Sequence, residues 1–207
     1  MRKLLMAAGA IAMLSCGAAR ASTVVDPVGD FLPSFIGPHD ADLDVTLFSV
    51  GYDPVGTAFH LSARLAGAID PSKVGFYVIG VNTGTGLIRP FASIGEGNVI
   101  FNHAIIIRKT GIGAVSGHAL LATIAGDRFS VIVPLAFLPS TGFAPKNYGF
   151  NLWPRNGAGK NSQISDFAPE NRTLASVPEP ATWSMMLVGF GLAGAALRRR
   201  MRRHAPA

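Results

Sequence analysis

Between residues 22 and 160 the apolar positions recur every second residue or in short continuous runs. Leu43, Val45 and Leu47 alternate with Asp42, Asp44 and Thr46, the period-2 pattern of a half-buried strand. Ala58 to Leu65 alternates again, and Val74 to Val81 is a continuous apolar run containing Phe76 and Tyr77. Asn82-Thr83-Gly84-Thr85-Gly86 follows it as a turn. Val99 to Ile107 is rich in β-branched and aromatic residues. Leu120 to Ile124 and Arg128 to Val133 flank Ala125-Gly126-Asp127, which predicts a hairpin. Tyr148 to Trp153 is the last strong strand. No window sustains a helical period, and Gly and Pro punctuate the whole region. Seven to nine short strands are expected, in an all-β antiparallel β-sandwich or jelly roll. Residues 161–177 are polar and rich in Asn and Pro, and read as a linker.

The two ends carry a different pattern. Arg2 and Lys3 precede an apolar run from Leu4 to Leu14, and Ala19-Arg20-Ala21 forms an A-x-A site. That is the layout of a secretory signal peptide over residues 1–21, cleaved before Ser22. Cys16 lies inside it, so the processed chain carries no cysteine and no disulfide. At the other end, residues 181–197 contain no charge. Seventeen residues at ~1.5 Å rise give a helix of ~26 Å, near the lower limit for crossing a ~30 Å hydrocarbon core. Trp183 stands where an interfacial aromatic belongs, and Arg198, Arg199, Arg200, Arg202 and Arg203 follow the run. A single transmembrane helix with a cytoplasmic C-terminus is the expectation, before a short tail at 204–207.

Val177-Pro178-Glu179-Pro180, Trp183 three residues on, the apolar run and the terminal arginines together resemble the PEP-CTERM sorting signal of Gram-negative bacteria, over residues 178–203. The resemblance implies export across the inner membrane and transient C-terminal anchoring. It also implies processing near Pro178, Glu179 and Pro180 by an exosortase, and a final place on the cell surface or in the extracellular polysaccharide of a biofilm matrix. The signal is an address and carries no activity of its own.

Charge changes its meaning once these ends are set apart. The formal charge of the chain is +6. Three cations lie in the signal peptide and five in the C-terminal cluster, leaving 10 Lys plus Arg against 11 Asp plus Glu from Ser22 to Val177. The middle domain is therefore nearly neutral, and no basic patch argues for a nucleic-acid partner.

Chemistry is sparse. The chain has no G-x-S-x-G elbow, no H-E-x-x-H and no P-loop. The glycine-rich stretch after Val81 lacks the helix that a phosphate cradle needs. His39, His60, His103 and His118 lack metal-ligand spacing, and no Met remains between Ser22 and Met185 to complete a Met/His haem site. The densest constellation is acidic: Asp26, Asp30, Asp40, Asp42 and Asp44, five carboxylates within 19 residues. Hard oxygen ligands of this kind suit Ca²⁺, although the spacing is not that of an EF-hand. The same aspartates also suit turn caps and the solvated end of a strand.

Asp-x-x-Gly-Asp near the start, Asp-Leu-Asp-Val leading into a strand and Tyr52-Asp53 before the next are similar to the opening of the DOMON and family 9 carbohydrate-binding sandwiches. That resemblance implies a ligand-binding sandwich, often for sugars, with structural calcium in some members. Trp153, followed by Arg155 and Asn156, is the best candidate for an exposed sugar contact, with core packing the favoured reading of Trp153 itself; Tyr148, Phe150 and Leu152 fall in the core. A non-enzymatic polysaccharide-binding module is the favoured reading. A structural module that contacts other proteins is the alternative. A matrix hydrolase using Asp40, Asp42 or Glu96 is a third.

Overall fold

A computed structural model describes residues 21–176. The signal peptide through Arg20, the transmembrane segment 181–197 and the sorting residues Pro178, Glu179, Pro180, Trp183 and Arg198 to Arg200 lie outside the described residues. Among the described residues no helix is long and apolar enough to cross a membrane.

The chain forms two antiparallel sheets, so the all-β sandwich expected from the alternation is what is found. The strands are β1 (Ser22–Val25), β2 (Val45–Asp53), β3 (Ala58–Leu65), β4 (Phe76–Asn82), β5 (His103–Arg108), β6 (Ile112–Val115), β7 (His118–Leu121), β8 (Thr123–Ala125), β9 (Arg128–Pro134), β10 (Gly149–Arg155) and β11 (Leu174–Ala175). One sheet has the order β1-β2-β3-β9-β8, the other β11-β10-β4-β5-β6-β7. The run Leu120 to Ile124 divides at Ala122: β7 pairs with β6 in one sheet, and β8 pairs with β9 in the other. The β8–β9 hairpin closes over Gly126-Asp127, as its turn residues predict. In the β6–β7 hairpin Ser116 and Gly117 both take positive φ, the geometry a two-residue turn of this hand requires.

The inner faces meet in one core. Phe48, Phe59, Leu61, Tyr77, Ile79, Phe129, Tyr148 and Phe150 are among its fully buried members. Phe59 lies 5.4 Å from Tyr148 and 5.0 Å from Phe150 between ring centroids, and Tyr77 lies 4.8 Å from Phe129. A bulge between Val45 and Leu47 shifts the register of β2, so that Phe48 rather than Leu47 continues the buried row.

The six-stranded sheet is covered on its second face as well. Leu32, Phe35, Leu43, Phe91, Val99, Phe101, Ile164 and Phe167 pack there around Trp153 and Val78. This layer removes one candidate sugar contact and corrects one expected boundary. Trp153 is 2% exposed and is a core residue, because segments from three parts of the chain close over it. Residues 161–176 are not a linker. They contain a 3-10 turn at Asn161–Gln163, the buried stretch Ile164 to Ala168 and strand β11. Their backbone is tied to the sandwich, with Leu32 N–H donating to the Ser165 carbonyl at 2.9 Å and Ala168 N–H to the Leu152 carbonyl at 2.8 Å.

Gly80 of β4 marks how tightly this layer packs. A Cβ there would stand 2.6 Å from two carbons of the Trp153 ring. Gly80→Ala is expected to cost about 1.5 kcal/mol through overpacking, read as a melting point lower by about 3–6 °C.

Candidate metal centre

The aspartates that sequence places together are separated by the fold into three environments. Asp40 pairs with exposed Lys73 at 2.5 Å. Asp42, in the 3-10 turn Ala41–Leu43, pairs with Lys109 at 2.7 Å, and both side chains are buried. Its Oδ2 also accepts the Asp70 N–H at 3.0 Å. Both residues drop out of the expected calcium set, because each carboxylate already has a cation of its own.

Asp26, Asp30 and Asp44 remain, and Asp166 joins them. Asp26 directly follows β1, and its N–H donates to the Thr46 carbonyl at 3.1 Å. Gly29, with φ of 84°, turns the chain so that its N–H donates to Asp44 Oδ2 at 2.7 Å, and Asp30 comes next. Asp44 stands at the entry to β2. Asp166 arrives from the far end of the domain: its Oδ2 accepts the Val45 N–H at 2.8 Å and its Oδ1 the Phe167 N–H at 2.6 Å. Carboxylate oxygens of Asp26, Asp30 and Asp166 all lie within 4.8 Å of one another.

The electrostatics of this cluster are unbalanced. Asp26 is 7% exposed, Asp44 3% and Asp166 2%. Asp26 Oδ2, Asp30 Oδ1 and Asp44 Oδ1 are buried without a hydrogen-bond partner. Burial, reinforced by Asp30, Glu170 and Asp44, pushes the Asp26 carboxyl from the ordinary 3.8 up to about 7, with Arg172 the one cation opposing this. Burial likewise pushes Asp166 up to about 8, with Asp26 and Asp30 adding to it against the hydrogen bond from Val45. Asp44 is raised by burial and, further, by Asp30, despite the Gly29 hydrogen bond.

Buried carboxylates without partners are strongly disfavoured unless protonated or bound to a cation. Converging carboxylate oxygens of buried Asp26 and Asp166 and half-buried Asp30, with an unpartnered oxygen on Asp26 and on Asp30, fit a divalent cation. An all-oxygen donor set with no His or Cys selects a hard ion. Calcium suits it better than magnesium, because Ca²⁺ tolerates irregular sites and fills its shell with carbonyls and water. Asp26, Asp30 and Asp166 would hold it, with Asp44 as a neighbouring negative charge.

Asp166 escapes sequence reasoning because it lies 122 residues beyond Asp44. One signal was available: Ile164-Ser165-Asp166-Phe167-Ala168 sets an acid inside an apolar stretch, where an unpaired carboxylate is costly.

The expected sugar contacts are also absorbed by the fold. Arg155 donates from Nε to the Gly157 carbonyl at 3.0 Å and from Nη2 to the Lys160 carbonyl at 2.7 Å. Asn156 Nδ2 donates to the Ile36 carbonyl at 3.1 Å. With Trp153 buried, these three form no exposed platform. Glu96 is buried and accepts the Asn171 N–H at 2.5 Å. Asp40, Asp42 and Glu96 are each held by a different partner rather than converging on one cleft. His39 stacks on Phe31 at 4.3 Å and His118 on Phe137 at 4.1 Å, while His103 Nδ1 lies 3.2 Å from Ser116 Oγ.

A family model described as the PEP-CTERM protein-sorting motif matches residues 176–200. The match begins ten residues after Asp166 in the sequence. The motif marks an exported surface protein that an exosortase processes at its C-terminal end. No curated protein and no solved structure matches the chain.

Proposed function

We propose that this chain is a non-catalytic module of the cell surface or extracellular matrix that binds extracellular polysaccharide, with its two ends clamped by calcium. The observation that carries this reading is the sorting motif at 176–200, attached directly to a folded β-sandwich. Such an address delivers the sandwich to a surface where polysaccharide is an abundant ligand. The acidic cluster supports a clamp: Asp26 and Asp30 come from the first strand and its turn, and Asp166 from the segment that leads into the motif. A calcium ion there would tie the turn after the first strand to the last segment of the domain.

The experiment is retention of the full chain, purified in detergent, on immobilised matrix polysaccharide with calcium and with chelator. Retention in calcium, reduced at least tenfold by chelator, is the expected result. Failure of the folded chain to bind any neutral or acidic polysaccharide would overturn the reading. Recovery of protein partners alone in crosslinking would replace it with a structural, protein-contacting role.

A further inference from the structure

The outer face of the five-stranded sheet carries a row of hydroxyls that runs across every strand. Thr23 of β1 pairs with Ser49 of β2, Ser49 with Ser62 of β3, Ser62 with Ser130 of β9, and Ser130 with Thr123 of β8. Four inter-strand steps of ~4.8 Å make the row ~19 Å long. Thr23 and Ser49 hydrogen-bond each other at 2.8 Å. Two adjoining clefts, of about 590 and 360 Å³, open on this face and share Ser62, Thr123 and Ser130. An ordinary solvated sheet face mixes long charged side chains, whereas five short hydroxyls in one register form a trough.

The flanks of the trough differ in kind. On one side exposed Ile132 pairs with His60, and exposed Leu121 lines the same cleft. On the other side Arg64 pairs with Arg128 across β3 and β9. Both guanidiniums lean on one carboxylate, Asp127, at 2.7 and 3.4 Å, so one positive charge on this flank is uncompensated. Asp53 lies at the opposite rim and accepts the Val55 N–H at 2.9 Å.

We infer that this row is the polysaccharide site and that its ligand is an extended acidic glycan. The inference rests on the polysaccharide-binding reading above and locates it. Sugar hydroxyls would exchange hydrogen bonds with the Ser and Thr row. The apolar C–H faces of the rings would lie on Ile132 and Leu121. Uronate carboxylates would take the guanidinium N–H groups of Arg64 and Arg128 that Asp127 leaves free. The site lies on the opposite sheet from Trp153 and uses no aromatic platform.

The test measures binding of the full chain, in calcium, to a linear glucuronate oligosaccharide and to an uncharged cello-oligosaccharide of equal length. The unaltered chain is expected to prefer the uronate by at least tenfold. Ser62→Glu, which places bulk and negative charge mid-row at a half-buried position of the outer face, is expected to weaken uronate binding at least tenfold while the domain stays folded. Arg64→Gln with Arg128→Gln is expected to abolish the preference for the uronate. Uronate binding that survives both variants would place the site elsewhere and overturn this inference alone. Equal affinity for the two probes in the unaltered chain would overturn the acidic assignment. Binding of neither these probes nor matrix polysaccharide would overturn the inference together with the reading it rests on.

Discussion

Lys109→Met will destabilise the domain by about 3–5 kcal/mol, because it leaves the Asp42 carboxylate buried without its counter-ion. The pair spans 2.7 Å with both side chains almost fully buried. Asp42 Oδ2 would retain only the Asp70 N–H, and its Oδ1 has no partner to begin with. At a urea slope of about 2 kcal/mol/M, the unfolding midpoint should fall by roughly 1.5–2.5 M. Adding Asp42→Asn should recover most of this loss, since the amide keeps an acceptor for Asp70 and removes the stranded charge. A single variant that unfolds at the parental midpoint would mean that water reaches Asp42 and solvates it. The pair fastens the 3-10 turn Ala41–Leu43 to the end of β5, so its loss should also loosen the entry to β2 beside the acidic cluster.

Calcium at a hundredfold excess over its Kd is expected to stabilise the protein by about 2.7 kcal/mol at pH 8, raising the melting point by roughly 5–10 °C. The pH dependence separates this from a general salt effect. In chelator, Asp26 and Asp166 carry folded-state values of about 7 and about 8, both above the ordinary 3.8. Their protons are bound in the folded state and released in the unfolded state across that interval. Stability from these groups is therefore fully present below about pH 4 and declines as pH rises, until about pH 8. Calcium holds the same carboxylates ionised, and protons compete with it. Its stabilisation should grow from little at pH 5 to its full value at pH 8, reversing the slope seen in chelator.

Asp26→Asn sharpens the test of the site. Removing one charge from the cluster should make the chelated variant more stable at pH 8 than the chelated parent, and should eliminate the calcium shift. A melting point in the parent that ignores calcium across the whole range would overturn the metal assignment. An unchanged calcium shift in Asp26→Asn would move the ion away from this cluster.

The all-β class was legible in the alternation itself. Ala58 to Leu65 reads as apolar and polar in turn, and it is β3 from end to end. The hairpin at Gly126-Asp127 followed from turn chemistry, and the sorting motif from a contiguous signature at the C-terminal end. Tyr148, Phe150 and Leu152 were placed in the core by period alone, and they are buried there.

What sequence could not separate was burial on the second face of the six-stranded sheet. Trp153 has the alternation of an outward residue, and only the return of Phe91, Phe101 and Phe167 from distant segments encloses it. The same limit governs the acidic centre. A dense run of aspartates is visible in sequence, but which of them lack a cation depends on Lys73 and Lys109 arriving from elsewhere. Asp166 is recruited by a segment whose composition reads as linker. Local periodicity and turn chemistry act between neighbours in the chain, so the sequence by itself determined the strands, the class of the fold and the address. Charge balance and the alignment of five hydroxyls across five strands depend on residues far apart in the chain, and only the tertiary structure decided them.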